Sequence, residues 1–185
     1  GITHVTQDAV TPETAAARVA TLPPFIVPVA VTHLTKPSNL IRIVELARCT
    51  TLQIRDVVTP DDIAEVREAL PYLRIMKAVH VMGESAIATA KYFSDTADAI
   101  LLDTRTADRI GGTGITHDWN ISAKIVKECS CPVILAGGLT PENVTEAIIR
   151  VRPYAVDVHT GVKKNGVRDA ERTRAFVANA RIARD

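Results

Sequence analysis

Short β-branched runs alternate along the chain with longer segments whose apolar residues recur at three- and four-residue spacing. The runs predict strands at GITHV (1–5), FIVPVAV (25–31), TLQI (51–54), LRIMKAV (73–79), AILL (99–102), PVILA (132–136) and YAVDV (154–158). The segments between them predict helices over 11–22, 36–48, 59–70, 83–93, 118–128, 140–151 and 167–183. Three of these open on Thr-Pro followed by an acidic residue, at Thr11, Thr59 and Thr140, which is N-cap, first-turn proline and first-turn carboxylate in order. Strictly alternating strand and helix predicts a parallel sheet with helices on its faces. Short, evenly spaced strands favour a TIM-type (β/α)8 barrel over an open doubly wound sheet, as a single domain over residues 1–185. Seven βα units are visible and the chain opens directly on a strand, so either one unit escapes the pattern or the first unit is absent.

Composition adds little to that pattern but excludes several partners. The 185 residues are 46% hydrophobic and 23% charged, with a net charge of +1. That balance gives no reason to expect nucleic acid or an anionic membrane surface. No apolar run approaches the ~20 residues of a membrane span, and the opening GITHVTQDAV lacks the basic and apolar regions of a secretory signal. A cytoplasmic protein is expected. Cys49, Cys129 and Cys131 are odd in number and lack metal-type spacing, so buried, reduced structural thiols are predicted.

In a barrel of this kind the chemistry lies at the C-terminal ends of the strands. After strand 132–136 come Gly137 and Gly138, then the helix expected from Thr140. Bare backbone beside a helix N-terminus can hold an anion. After strand 154–158 comes His159-Thr160-Gly161, again hydroxyl plus glycine. Two successive glycine-bearing strand ends predict a phosphate site made by Gly137, Gly138, Thr160 and Gly161. Asp103 stands at the end of strand 99–102, where it could be an acid or only a capping carboxylate. The stretch from Thr104 to His117 is long for a βα loop. With Gly111, Gly112 and Gly114 it predicts a mobile lid.

The stretches ILLDTRTADRIGGTGITHDW (100–119), VILAGGLTPENVTEAI (133–148) and RPYAVDVHTGVKKNGVRD (152–169) together resemble the phosphoribosylanthranilate isomerase family of tryptophan biosynthesis, a (β/α)8 barrel. Weaker agreement extends upstream through IMKAV, LQI, LPPF and VTPETA, so the resemblance runs from the family's second strand onward. It implies an Amadori rearrangement: N-(5'-phosphoribosyl)anthranilate, an aldose N-glycoside, becomes a 1-amino-1-deoxyketose. That reaction needs an acid for the ribose ring oxygen and a base for the C2' proton. The family's acid is the Asp of its LLDT motif, here Asp103. The resemblance implies no metal and no organic cofactor. The expected partner is a small-molecule sugar phosphate, with a homodimer as an option.

The chain departs from the family in identifiable places. It contains no K-I-C-G segment, which carries the family's cysteine base on its first strand. Gln7 and Asp8 stand near the family's arginine after the second strand. QIRD replaces Q-L-H-G, putting Arg55 in place of the histidine, and HTG replaces SSG after the eighth strand. Arg55 and Lys77 are assigned to the substrate together with the lid glycines. Four of the five histidines, His4, His33, His80 and His159, fall at or near strand ends, and only His117 lies elsewhere. They are either ordinary loop residues or a rebuilt acid–base set at the barrel mouth, or even a metal site. Three functions are therefore weighed: the isomerase itself, a diverged member using histidines on another sugar phosphate, and a non-catalytic phosphosugar-binding barrel.

Overall fold

The computed structural model describes residues 9–106, 109–110 and 116–183. Its helices begin where the sequence punctuates them. Thr11 and Thr59 cap α1 (Pro12–Val19) and α3 (Pro60–Ala69), each with proline in the first turn. At α3 the capping box is complete. The Asp62 N–H donates to Thr59 Oγ1 at 3.2 Å, and the Thr59 N–H donates to Asp62 Oδ2 at 2.7 Å. Thr59→Ala should therefore lower stability by ~1 kcal/mol, read as a lower urea midpoint with an unchanged slope. An unmoved midpoint would show the cap to be idle.

The chain divides into two compact units, Gly1–Ala78 with Thr96–Asp98, and Val79–Asp95 with Ala99–Asp185. The first holds α1, β1 (Val29–Thr32), α2 (Pro37–Ala47), β2 (Thr51–Ile54), α3 and most of β3 (Arg74–His80). Its strands run parallel, with Val29 beside Thr51 and Thr51 beside Arg74. Every residue of β2 is buried, as befits a parallel strand covered on both faces. Leu40, Val44, Leu52, Ile54, Ile63 and Ile75 are fully buried around it. Before and within β1, Phe25, Ile26, Val27, Val29 and Val31 are all exposed.

The second unit holds α4 (Ser85–Ser94), β4 (Ala99–Asp103), a small hairpin of β5 (Arg105–Thr106) and β6 (Arg109–Ile110), α5 (Trp119–Glu128), β7 (Val133–Leu135) and α6 (Val144–Val151). It continues with β8 (Ala155–Val156), a 3-10 turn (Thr160–Val162), the hairpin β9 (Lys163–Lys164) and β10 (Val167–Arg168), and α7 (Ala170–Ile182). β4, β7 and β8 are parallel, with Ile100 beside Val133 and Ile134 beside Ala155. Ile100, Leu102, Ile125, Leu135, Val144 and Ala147 form the buried interior.

Within each unit the main strands follow sequence order, β1-β2-β3 in the first and β4-β7-β8 in the second. A doubly wound sheet would reverse direction at a switch point; neither order does. Of the predicted strands, the one over 1–5 lies outside the described residues. The strand predicted from residue 25 starts at Val29, because Pro28 has no N–H for the ladder and Phe25 takes a left-handed φ of 70°. The last helix starts at Ala170 rather than 167, since Val167 and Arg168 pair with β9 and Asp169 caps instead. Burial of the thiols holds for Cys49 alone. Cys129 and Cys131 are only half-buried, in the short turn between α5 and β7. Even so, burial pushes the Cys129 thiol up to about 11, which keeps it protonated at neutral pH.

Candidate active site

Asp103 is the last residue of β4, and its carboxylate is buried. The next residue returns to it: the Thr104 N–H donates to Asp103 Oδ1 at 2.8 Å. Backbone bonds hold the strand end on both sides, from Val81 N–H to the Asp103 carbonyl at 3.0 Å and from Ala136 N–H to the Leu102 carbonyl at 2.7 Å. The second of these leads straight into Gly137 and Gly138, whose φ angles of 81° and 69° favour glycine. A Cβ on Gly137 would collide with Thr104 Oγ1 and stand 2.6 Å from the Thr104 nitrogen. The glycine turn is therefore packed directly on the end of the Asp103 strand.

The helix expected from Thr140 begins only at Val144, and Thr140–Asn143 forms a turn. Asn143 is the reason. Its side chain accepts from the Thr140 N–H at 2.8 Å and donates to the Gly138 carbonyl at 3.0 Å, tying the turn to the glycines. The Glu142 N–H is taken by Thr140 Oγ1 at 3.2 Å.

The second glycine-bearing strand end lies against the first. A Cβ on Gly161 would collide with the Leu139 carbonyl oxygen and come within 3.1 Å of Thr140 Cα. Arg172 of α7 braces the pair. Its Nε donates to the Gly161 carbonyl at 3.0 Å, and its guanidinium pairs with Glu142 at 3.1 Å. Sequence reading missed Arg172, because no local spacing links it to a glutamate 30 positions earlier. The Thr140 hydroxyl first, and Arg172 with it, holds the Glu142 carboxyl below its usual range. Thr160 opens the 3-10 turn, and the preceding His159 is exposed.

His117, set aside in the sequence as the one histidine away from strand ends, is next to Asp103's neighbour. Its Nδ1 is 3.0 Å from Thr104 Oγ1, and its Nε2 is 2.6 Å from Ser122 Oγ. Burial pushes the imidazole below its ordinary 6.5, while the charges of Asp103 and Asp118 pull the other way. Gly111, Gly112 and Gly114 of the predicted lid, and His4, lie outside the described residues. The loop is not wholly irregular: Arg105 pairs with Ile110 and Thr106 with Arg109.

In the first unit, residues following β1 and β2 meet: His33 Nδ1 is 3.1 Å from Asp56 Oδ2. Arg55 adjoins Asp56 and donates its N–H to the Thr32 carbonyl at 3.0 Å. Lys77 is buried within β3, its Nζ donating to the Ala78 carbonyl at 2.6 Å. Burial lowers its pKa to about 8, opposed by Asp56 and reinforced by Arg55. Below pH 8 the folded and unfolded chains both carry this proton. Between about 8 and 10.5 only the unfolded chain holds it, so stability rises with pH there. Wild type should gain on Lys77→Met by up to about 1.4 kcal/mol per unit above pH 8, measured by urea unfolding at fixed pH. A pH-independent difference would contradict it.

Among the described residues no group of three His, Cys, Asp or Glu is arranged to hold a metal ion. His33 is engaged with Asp56, while His80 ends β3 and His159 precedes the 3-10 turn.

The family model for N-(5'-phosphoribosyl)anthranilate (PRA) isomerase matches residues 2–179. N-(5'-phosphoribosyl)anthranilate isomerase 2 of Methanosarcina mazei is 42% identical over 184 residues, which is 98% of this chain and 81% of that protein. The solved phosphoribosyl anthranilate isomerase of Thermotoga maritima superposes with a TM-score of 0.82 at 31% identity, covering 93% of this chain and 81% of that one. Another structure describes the Thermotoga protein as dimeric. A phosphoribosyl anthranilate isomerase in complex with reduced 1-(o-carboxyphenylamino)-1-deoxyribulose 5-phosphate matches with a TM-score of 0.77 at 28% identity, covering 93% and 80%. These solved structures are TIM-type barrels, the fold class that the strand–helix alternation predicts.

Proposed function

The chain belongs to the N-(5'-phosphoribosyl)anthranilate isomerase family, and from that premise we propose that it carries out the Amadori rearrangement with Asp103 as general acid. The observation that supports the reading is the packing of Gly137 on Thr104, the residue next to the buried Asp103. The substrate phosphate lies on the backbone of Gly137, Gly138 and Gly161 with the Thr160 hydroxyl. Asp103 gives its proton to the ribose ring oxygen as the C1'–oxygen bond breaks. Loss of the C2' proton to a base then yields an enolamine, which tautomerises to the ketose. Arg55 and Lys77 are proposed as substrate residues. No metal or organic cofactor is part of this proposal.

The enzyme is proposed to act in the cytoplasm as a single barrel domain, with a homodimer as its assembly. Among the described residues no helix is long and apolar enough to cross a membrane.

The test is turnover of N-(5'-phosphoribosyl)anthranilate, followed by loss of anthranilate fluorescence, together with calorimetric binding of the reduced product analogue. Turnover with analogue binding supports the isomerase. Analogue binding without turnover points to a phosphosugar-binding barrel, and neither would defeat both readings.

A further inference from the structure

We propose that His117 is a positioning residue for Asp103, acting through Thr104. Three observations meet at Thr104. Its N–H holds the Asp103 carboxylate at 2.8 Å, its side chain and nitrogen are what a Cβ on Gly137 would strike, and its hydroxyl is 3.0 Å from His117 Nδ1. Thr104 thus links the buried carboxylate to the glycine turn, and His117 fixes Thr104 from a point 13 residues further along the chain.

His117 is itself anchored. Its Nε2 lies 2.6 Å from the hydroxyl of Ser122, a residue with no exposed surface in the second turn of α5. A neutral imidazole has one donor and one acceptor nitrogen, and each hydroxyl can take either role, so both bonds form in either tautomer. Burial, which disfavours the imidazolium, keeps the ring in that neutral form. The path runs from helix α5 through Ser122 and His117 to Thr104 and the carboxylate. General acid catalysis depends on a carboxyl held within hydrogen-bond reach of the atom it protonates, and a small displacement is costly. The inference rests on the isomerase reading for its kinetic consequence, but not for its geometry.

Amide hydrogen exchange read by NMR tests it without any turnover. In His117→Leu the Thr104 amide should exchange at least about tenfold faster, while the Ile100 and Ala136 amides, which bond to the Pro132 and Leu102 carbonyls, keep their protection. His117→Asn, whose amide can still reach Thr104, should restore most of it. Ser122→Ala, which only frees the far side of the ring, should fall between. In the same variants kcat should drop roughly tenfold for Leu with KM within about twofold, and recover with Asn. Thr104 protection unchanged in His117→Leu, or lost equally at all three amides, would overturn the proposal. If wild type itself shows no turnover, the isomerase reading fails, and the exchange data still decide whether His117 positions Thr104.

Discussion

Asp103→Asn should reduce turnover of N-(5'-phosphoribosyl)anthranilate by ~10²–10⁴-fold, the usual worth of one general acid, while the reduced product analogue binds nearly as before. The separation follows from the local geometry. Asparagine matches aspartate in shape and keeps a carbonyl oxygen for the Thr104 N–H, so the strand end and the glycine turn beyond it stay in place. What it lacks is a proton to give to the ribose ring oxygen. The loss corresponds to about 3–5 kcal/mol of transition-state stabilisation, so it should appear in kcat. Steady-state kinetics beside calorimetry on the same preparation make the comparison. Turnover within threefold of wild type would remove Asp103 from the reaction.

Gly161→Ala should damage both stability and phosphate affinity. Its added methyl would overlap the Leu139 carbonyl oxygen, with the Leu139 carbonyl carbon at 2.9 Å and Thr140 Cα at 3.1 Å. All three are backbone atoms, so no flexible side chain can move aside. Relief requires the 3-10 turn to shift, taking with it the Gly161 carbonyl that Arg172 holds. Overpacking of this kind costs ~1–3 kcal/mol, and binding of inorganic phosphate should weaken at least about tenfold because the two glycine-bearing segments no longer meet. Gly83→Ala is the matched control: nothing lies within 4 Å of its added Cβ. Thermal melts and phosphate titrations of both variants check the prediction, and equal behaviour of the two would refute it.

The strand–helix alternation was readable because each element has local causes: β-branched runs for strands, Thr-Pro openings for α1 and α3, and Asp118 and Asp169 at the caps of α5 and α7. The position of Asp103 at the end of β4, and of Gly137 and Gly138 just beyond β7, was readable for a related reason, since each strand run has a local end. Residues that act across distance were not. His117 is 13 positions from Thr104, and Arg172 is 30 from Glu142. Neither spacing falls on one helix face or one strand. The start of α6 was misread because Asn143 can serve a turn as well as a helix, and the choice depends on the Gly138 carbonyl it reaches. The sequence set His117 apart from the strand-end histidines, and only the fold shows it beside Thr104 and Ser122.

The exposed apolar run leading into β1 bears on how the protein behaves at high concentration. Residues 25–31 form a charge-free window, Phe-Ile-Val-Pro-Val-Ala-Val, in which five apolar side chains are exposed. Windows of that composition stack into cross-β aggregates unless something interrupts them. Pro28 is the one residue here that does so, because it cannot donate to a neighbouring strand and fixes its own φ. The residue that delays β1 to Val29 is therefore also a gatekeeper. Exchanging it for threonine would lengthen a sticky segment without touching Asp103, and the protein would lose solubility before it lost its fold.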